Sequence, residues 1–487
     1  MPEILIGGQN GIKVFMDAAM GNRHGMISGA TGTGKTISLQ ILAEGFSKIG
    51  VPVFLADIKG DLSGITVTGK PHEKITERIQ QIGISDYQQR GSPSVFWDIF
   101  AKTGHPVRAT ISDMGPLLLS NLLELNDTQT GVLYSCFKIA DDNGLLLLDL
   151  KDLRALLTWV GNQDKALQVE YSNIAAASLG AIQRQLLVLE EQGAEHFFGE
   201  PAIQLEDFCK TDFSGNGVIS ILDATDLVSK SPRLYATFLL WLLSELFENM
   251  PEVGDADRPK LVLFFDEAHL LFDQAPKSLL DKIEQIVRLI RSKGVGIYFI
   301  SQSPLDVPED ILGQLGLKIQ HALRAYTPKD QQVVKSVAGT FRANPNIDTE
   351  TAIQELKTGE ALVSVLNKDG SPAPVERILI RPPESQIGPI TQEQRGEMLK
   401  RSPFHGRYET EIDRESAYEM LKQKSERQNQ EKLEELEEKK ERKATSGGSR
   451  QRQSITEALL KNAARSIGTT VGRQIVRGIM GSLLGRR

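Results

Sequence analysis

A glycine-rich segment near the N-terminus matches the pattern G-x-x-x-x-G-K-T of phosphate-binding loops. Its residues are Gly29, Ala30, Thr31, Gly32, Thr33, Gly34, Lys35 and Thr36. Glycines allow backbone N–H groups to surround phosphates, and the N-terminus of the following helix adds partial positive charge. Lys35 is expected to reach the β- and γ-phosphates, and Thr36 is expected to offer its hydroxyl to Mg²⁺. We therefore predict that the protein binds ATP together with Mg²⁺.

Two acidic residues stand directly after a run of five apolar residues, Leu261–Phe265. Such a run is typical of a fully buried strand, and parallel sheets bind ligands at the carboxyl ends of their strands. Asp266 is expected to hold Mg²⁺ through water, and Glu267 is expected to polarise the water that attacks the γ-phosphate. An acidic pair after a strand is by itself often only a helix cap. Together with the loop at Lys35, it predicts a site of ATP hydrolysis.

Further polar residues could take part in hydrolysis. Gln302 ends the apolar run Gly296–Ser301 and is expected to lie beside the γ-phosphate and sense it, although a loop glutamine needs no such role. Arg288 and Arg291 stand at the end of the helix that precedes this run. They could cap that helix, or one could be a finger that stabilises the transition state in a neighbouring subunit. Arg324 is a weaker candidate for the finger.

Hydrophobic periodicity predicts the elements that position these residues. His24–Ser28 and Val51–Ala56 read as short buried strands, and apolar residues recur at helical spacing from Thr36 to Lys48. Strand, loop, helix and strand in this order form a βαβ unit of a parallel sheet. Residues of about 110–250 are instead rich in leucine at helical spacing. Further strands are expected at Val218–Leu222, Leu261–Phe265, Gly296–Ser301 and Ala361–Val365. We predict an α/β fold with a mainly parallel sheet and a helical insertion.

These patterns divide the chain into six segments. They are a short N-terminal β element (1–24), the first part of the ATPase core (25–110), a helical insertion (111–215), the second part of the core (216–383), a charged helix or linker (384–449) and a basic amphipathic segment (450–487). Residues 411–443 are dominated by Glu, Lys, Arg and Gln, which is typical of a solvated helix or disordered linker. A partner-binding coiled coil is the alternative. Ser446–Ser449 reads as a flexible joint.

The last segment is basic and has an apolar stripe. From residue 452 to residue 487 it carries seven lysines and arginines against a single acid, Glu457. Such a helix can lie on an anionic membrane, bind a groove of a partner protein or contact nucleic acid. The sequence does not choose among these, and an unbound flexible tail fits it equally well.

Composition sets the broad class of the protein. The chain has 487 residues, of which 40% are hydrophobic and 24% charged, as in soluble globular proteins. The net charge of -7 gives no global basic field that would attract nucleic acid. Cys136 and Cys209 are isolated, which favours a reducing compartment over a disulfide framework. No signal peptide and no apolar run of about 18 residues is visible, so we expect a cytoplasmic location.

Taken in order, these motifs resemble those of the HerA/FtsK group of hexameric DNA-pumping ATPases. More narrowly, the chain is similar to the bacterial HerA-helicase-like family with a long charged C-terminal region. The resemblance covers residues of about 20–380. It rests on Gly29–Thr36, Asp57-Ile58-Lys59-Gly60-Asp61, Leu261–His269, Arg288–Gly296 and Ile300-Ser301-Gln302-Ser303-Pro304.

The resemblance implies a RecA-like P-loop NTPase core and a homo-hexameric ring. It implies ATP hydrolysis at subunit interfaces, coupled to pulling double-stranded DNA through the pore. By motif position, Lys35 and Thr36 bind phosphate and Mg²⁺, Asp266 and Glu267 serve metal and water, Gln302 is the sensor, and Arg291 or Arg288 is the finger. Asp57 and Asp61 fall where the family has an acidic loop near the nucleotide.

Two departures from the family pattern limit what can be carried over. Archaeal HerA proteins begin with a β-barrel that receives a nuclease, and the roughly 24 residues before the phosphate loop are too few for it. No nuclease partner is therefore expected. The sequence also shows no dense basic patch that would mark a pore loop. Asp266-Glu267-Ala268-His269 spells the DEAH of another helicase superfamily, but nothing in residues 300–400 resembles the second RecA-like domain which that superfamily needs.

Three hypotheses remain, in order of preference. The first is a ring-forming ATPase that translocates on DNA or remodels it, as a helicase or DNA translocase does. The second is an ATPase of the same fold that acts on a protein or at a membrane surface through residues 452–487. The third is a scaffold that binds ATP without useful hydrolysis, which Glu267 and Gln302 argue against.

Overall fold

The computed structural model describes residues 2–162, 174–254, 256–273 and 277–445. The chain forms two units, Met1–Lys422 and Gln423–Arg487. The predicted flexible joint at 446–449 and the predicted basic segment 450–487 lie outside the described residues.

Twelve strands occur in the described part of the first unit. They are β1 (Glu3–Gln9), β2 (Ile12–Asp17), β3 (Gly25–Ser28), β4 (Val53–Asp57), β5 (Ser94–Asp98), β6 (His105–Pro106), β7 (Ile219–Asp223), β8 (Leu261–Phe265), β9 (Val295–Ser301), β10 (Leu317–Gln320), β11 (Glu360–Ser364) and β12 (Glu376–Ile380).

Helices connect most of these strands. They are α1 (Lys35–Lys48), α2 (Glu73–Ile82), α3 (Ile111–Leu122), α4 (Asp127–Asp142), α5 (Leu150–Gly161), α6 (Ala176–Glu191), α7 (Thr225–Lys230), α8 (Pro232–Asn249), α9 (His269–Phe272), α10 (Lys277–Leu289), α11 (Glu309–Leu312), α12 (Pro328–Gly339), α13 (Thr349–Glu355), α14 (Gln392–Arg401) and α15 (Ala417–Thr445). None of the helices formed by described residues is long and apolar enough to cross a membrane.

All twelve strands belong to one sheet, in the order β2-β1-β12-β11-β10-β3-β9-β8-β4-β7-β5-β6. Among the described residues, seven of the eleven strand pairings are parallel, running without interruption from β10 to β6. The other four, at the β2 end, are antiparallel. This confirms the predicted α/β class with a mainly parallel sheet, and it joins the N-terminal strands to the same sheet as the core.

Both faces of the parallel strands are buried, which explains why these strands read as continuous apolar runs. In β4, Val53 and Leu55 pack in one hydrophobic cluster with residues of α1. Phe54 and Ala56 point to the other face and pack with residues of α8 and of the helical segment that precedes β7. Helices therefore cover both faces of the sheet and leave the polar ends of the strands open. We call the side at which the parallel strands end the carboxyl edge of the sheet, and the side at which they begin the amino edge.

The chain after β12 contributes to the core of the first unit. Phe404 and Tyr408 are buried, and Trp97 lies beside both aromatic rings, with centroid distances of 5.2 and 5.7 Å. At the start of α15, Ala417 and Leu421 are also buried. The described side chains after them, from residue 422 to residue 439, are exposed. The boundaries predicted from the sequence stay predictions, but residues 384–421 form a packed extension of the sheet domain.

His24 joins the sheet to helix α10 through both of its ring nitrogens. Nδ1 accepts the N–H of Ile297 at 3.0 Å, so the neutral ring carries its proton on Nε2, which donates to the carbonyl of Val287 at 2.8 Å. Burial, together with the nearby charges of Arg291 and Arg23, lowers the pKa of His24 from 6.5 to about 4, against the raising effect of the hydrogen bond to Val287. Protonation of Nδ1 in the folded chain would break a backbone hydrogen bond.

Stability is therefore expected to depend on the charge of His24. The pKa of His24 is lower in the folded chain than in the unfolded chain, so the contribution of neutral His24 to the free energy of unfolding is fully present above pH 6.5. This contribution is lost as the pH falls towards 4, by roughly 3 kcal/mol in all. Urea unfolding between about pH 7.5 and 4.5 should give a flatter pH profile for His24→Asn than for the unmodified chain. His405→Asn, at a ring that is 60% exposed, should keep the original slope. Equal slopes for His24→Asn and the unmodified chain would refute the assignment.

Candidate functional site

The predicted phosphate loop connects the carboxyl end of β3 to the first residue of α1. Two hydrogen bonds join the backbone of the loop to distant segments of the chain. Ala30 N donates to the carbonyl of Ala322 at 2.9 Å, and Gly359 N donates to the carbonyl of Thr33 at 3.0 Å. Lys35 is buried, and its Nζ donates to the carbonyl of Gly29 at 2.6 Å, folding back over the loop. Burial lowers the pKa of Lys35, and the positive charge of Lys59 lowers it further.

His321 packs against the phosphate loop, a role that no sequence motif indicates. It follows β10, the neighbour of β3, and is fully buried. Its Nε2 lies 2.8 Å from the hydroxyl of Ser38, and its Nδ1 lies 3.0 Å from the carbonyl of Glu360. Burial lowers its pKa to about 4, so the ring is neutral beside Lys35. The sequence carries no signal for this role, because the strand order that brings His321 to the loop is not visible in it.

Gly29 is required by this packing. Its φ is +146°, and a Cβ atom at this position would lie 2.6 Å from Cβ of His321. We expect Gly29→Ala to weaken nucleotide binding at least about 10-fold, because strain of a few kcal/mol would displace the loop. Calorimetric titration with ADP measures the effect. Gly131→Ala, where the added methyl group meets nothing, should bind ADP normally. Normal ADP binding by Gly29→Ala would show that the loop tolerates the side chain.

Asp266 and Glu267 follow β8, two strands away from β3 and separated from it by β9. Asp266 is buried, and burial together with the negative charge of Glu267 raises its pKa to about 6, against the lowering effect of Lys59. Its backbone carbonyl accepts the hydroxyl of Tyr235 at 3.2 Å. Glu267 adopts a positive φ of 46°, which is uncommon for a residue with a side chain.

The two carboxylate oxygens of Glu267 have different surroundings. Oε1 lies 2.9 Å from Nζ of Lys59, in an ion pair whose glutamate side chain is only 12% exposed. Oε2 is buried and has no hydrogen-bond partner among the described residues, and Nδ1 of His269 is 3.5 Å away. One oxygen is therefore held by a cation, and the other has lone pairs available for a ligand or a water molecule.

The acidic loop after β4 lies beside this pair, because β4 and β8 are parallel neighbours with Ala56 opposite Phe265. Asp57 is buried and accepts the N–H groups of Gly60 at 2.7 Å and Leu62 at 3.0 Å, so it shapes the loop. Burial, together with the charges of Asp61 and Asp223, raises the pKa of Asp57 to about 7, against the lowering effect of these two hydrogen bonds.

Gln302 directly follows β9, the strand between β3 and β8. It therefore stands at the same edge of the sheet as the phosphate loop and the acidic pair. Its side chain is exposed and is not among those that line the cavity at this edge. The neighbouring Ser301 hydroxyl and Ser303 N–H both donate to the carboxylate of Asp306, which fixes the backbone around Gln302.

Arg288 and Arg291, the two main finger candidates, are not brought to this edge. Arg288 and Arg291 precede β9, so they lie at the amino edge of the parallel strands, opposite the phosphate loop. Both are exposed. Arg288 pairs with Glu284 at 2.5 Å, whereas the guanidinium of Arg291 makes no ion pair or hydrogen bond with a described residue. Arg324 follows β10 and donates to the carbonyl of Gln354 at 2.8 Å.

A cavity of about 340 Å³ at the carboxyl edge is lined by six of the predicted site residues, namely Thr31, Gly32, Gly34, Lys35, Thr36 and Asp266. It is lined by Thr31, Gly32, Gly34, Lys35, Thr36, Ile37, Leu39, Lys59, Asp61, Leu62, Asp266, Ile300 and Thr358. Two lysines and several backbone N–H groups suit a phosphate chain. Thr36 and Asp266 offer one hydroxyl and one carboxylate, and the described residues contain no cluster of three or more metal-ligating side chains. This donor set fits Mg²⁺, which binds through one or two protein ligands and keeps several waters.

Known proteins provide an independent comparison. The family model described as "Helicase HerA-like C-terminal" matches residues 3–487. A protein of Sulfolobus acidocaldarius named "DNA double-strand break repair helicase HerA" is 21% identical over 368 residues, which are 74% of this chain and 65% of that protein. A protein of Methanocaldococcus jannaschii named "Probable helicase MJECL08" is 30% identical over 125 residues, which are 25% of this chain and 22% of that protein. The chain thus matches less than two thirds of the length of each of these relatives.

Among solved structures, the bacterial conjugative coupling protein TrwBdeltaN70 in its unbound form is similar at a TM-score of 0.49 and 16% identity. The superposition covers 80% of this chain and 92% of that one. A likeness of this extent says nothing about activity.

Proposed function

The chain belongs to the family described as Helicase HerA-like C-terminal, and we propose that it is an ATPase that couples ATP hydrolysis to movement on double-stranded DNA or to its remodelling. The observation that carries this proposal is the convergence at one edge of the sheet. Lys35, Thr36 and Asp266 line a single cavity, and Glu267 adjoins it. A protein that only bound nucleotide would not need, next to this cavity, a buried carboxylate oxygen that has no hydrogen-bond partner among the described residues.

In this proposal the loop binds the phosphates of ATP through its backbone N–H groups and through Lys35. Nζ of Lys35 rests on the carbonyl of Gly29 and needs only a rotation of its flexible stem to reach a phosphate oxygen. Thr36 and Asp266 would hold Mg²⁺, which neutralises phosphate charge and supplies electrophilic activation when bound. Glu267 accepts a proton from the attacking water, and Gln302 orients that water or senses the terminal phosphate.

We further propose that the active unit is a ring of identical subunits, taken as a hexamer from the family resemblance. Arg291 lies at the sheet edge opposite its own phosphate loop, and no arginine lines the cavity among the described residues. In this proposal, the arginine that stabilises the transition state comes from a neighbouring subunit. Contacts between the loop edge of one subunit and the arginine edge of the next are heterologous, and such contacts generate rings when the rotation closes.

The experiment that tests the proposal measures ATP hydrolysis with and without linear double-stranded DNA. We expect stimulation of several-fold by duplex DNA, a mass in solution well above that of one chain, and loss of hydrolysis in Lys35→Ala. Single-stranded DNA and a DNA-free reaction are the references. A monomer with DNA-independent turnover would refute the motor function, while absence of both ATP binding and hydrolysis would refute the nucleotide site itself.

A further inference from the structure

Lys59 lines the cavity and contacts Glu267 of the acidic pair. It belongs to the loop that Asp57 closes through the N–H groups of Gly60 and Leu62. Gly60 has a positive φ of 74°, which turns the chain back towards the sheet. The result is that Nζ of Lys59 meets Glu267, a residue more than two hundred positions away, while its side chain also lines the cavity.

Lys59 and Lys35 present two cations to the same cavity. The charge of Lys59 lowers the pKa of Lys35, second only to burial, so the two ammonium groups interact. Lys59 rests on a carboxylate oxygen at 2.9 Å and Lys35 on a carbonyl oxygen at 2.6 Å. Both lysine side chains are long and flexible, and the two oxygen atoms that accept from them lie next to the cavity. Two like charges beside one cavity suit a ligand with several negative charges, such as a triphosphate.

We infer that Lys59 is a second phosphate-binding lysine, shared between Glu267 and the terminal phosphate of a bound nucleoside triphosphate. Transfer of Nζ to the phosphate frees Oε1 of Glu267, so the carboxylate becomes fully available to water only when a third phosphate is present. Nucleoside diphosphates leave the Lys59–Glu267 pair intact. The inference rests on the proposed function, because it needs a triphosphate in this cavity.

A permanent ion pair is the competing explanation. The lysine side chain is 42% exposed, and pairs with an exposed partner contribute little to stability. With a permanent pair, Lys59 would also continue to compensate the charge of Glu267, the proton acceptor of the site, when ATP is bound. Under that explanation, loss of Lys59 would affect ATP only indirectly, by exposing phosphate to the unpaired charge of Glu267. The two explanations therefore differ once that charge is removed.

The test uses the full-length chain with Glu267→Gln as background. Affinities for ATPγS and for ADP, both with Mg²⁺, are measured by calorimetry with Lys59 present and in Glu267→Gln/Lys59→Met. We expect the loss of Lys59 to weaken ATPγS binding about 10- to 100-fold and to change ADP binding less than about 3-fold, as for loss of one charge-assisted hydrogen bond. Lys59→Arg in the same background should retain most of the ATPγS affinity.

Lys48→Met is the matched control, because Lys48 is 48% exposed and pairs with the buried Glu384 in a similar geometry far from the cavity. It should leave the ratio of ATPγS to ADP affinity unchanged. The ratio is measured on one preparation, so a reduced folded fraction does not alter it. If Glu267→Gln and Glu267→Gln/Lys59→Met have the same ratio of ATPγS to ADP affinity, the inference is wrong, while the nucleotide site itself is unaffected. Failure of the Glu267→Gln chain to bind either nucleotide would overturn the proposed function, and with it the role of Lys59.

Discussion

Replacing Glu267 with glutamine is expected to lower the rate of ATP hydrolysis about 10²- to 10⁴-fold while ATP binding persists. Gln keeps the size of the side chain and can still accept a hydrogen bond, but it cannot take a proton from water. The carboxylate is buried beside the cavity, and its Oε2 has no hydrogen-bond partner among the described residues. The turnover rate at saturating ATP, together with the dissociation constant for ATP, separates this loss from a binding defect.

Glu200→Gln provides the control for this substitution. Glu200 has a comparably buried side chain, 17% exposed, and pairs with Arg414 away from the cavity. Its turnover rate should match that of the unmodified chain. If Glu267→Gln hydrolyses ATP within a few fold of the normal rate, Glu267 is not the proton acceptor and another group of the site must activate water.

The second large effect is expected for Arg291→Ala, with a loss of hydrolysis of about 10³-fold or more. Arg291 is exposed at the amino edge of the sheet and its guanidinium makes no ion pair or hydrogen bond with a described residue, so its removal should cost little stability. Arg288 is held by Glu284, which makes it the weaker candidate and Arg288→Ala the matched control. Hydrolysis rate and thermal unfolding midpoint are measured on both variants.

Mixing two inactive chains tests whether the arginine acts across a subunit boundary. Arg291→Ala retains the phosphate loop, and Lys35→Ala retains the arginine. In randomly mixed rings, about a quarter of the interfaces combine an intact loop with an intact arginine, so hydrolysis should reappear. No recovery, despite demonstrated exchange of subunits, would mean that the arginine acts within its own chain or not at all.

The parts of the site that could be predicted from the sequence are those encoded by contiguous residues. The loop at Gly29–Thr36 combines its glycines, lysine and threonine within eight positions, and the apolar run before Asp266 predicts a buried strand. The predicted strand starts and ends lie within two residues of those observed. A strand buried on both faces is a continuous apolar run, and runs of five or six residues are too short for a buried helix. The α/β class followed from the same local patterns.

Tertiary structure alone decided which distant residues meet. The Lys59–Glu267 pair and the contact of His321 with the loop depend on the order of strands in the sheet. The position of Arg291 at the opposite edge depends on the parallel direction of β9 and its neighbours. Strand order is set by long-range packing, and periodicity within a segment carries no information about its neighbours. The sequence by itself thus determined a phosphate loop and an acidic strand end. Folding placed them with one strand between them, added a second lysine beside them and left Arg288 and Arg291 on the far side. The physical reason is that residues after parallel strands lie at one edge of the sheet, and residues before those strands lie at the other.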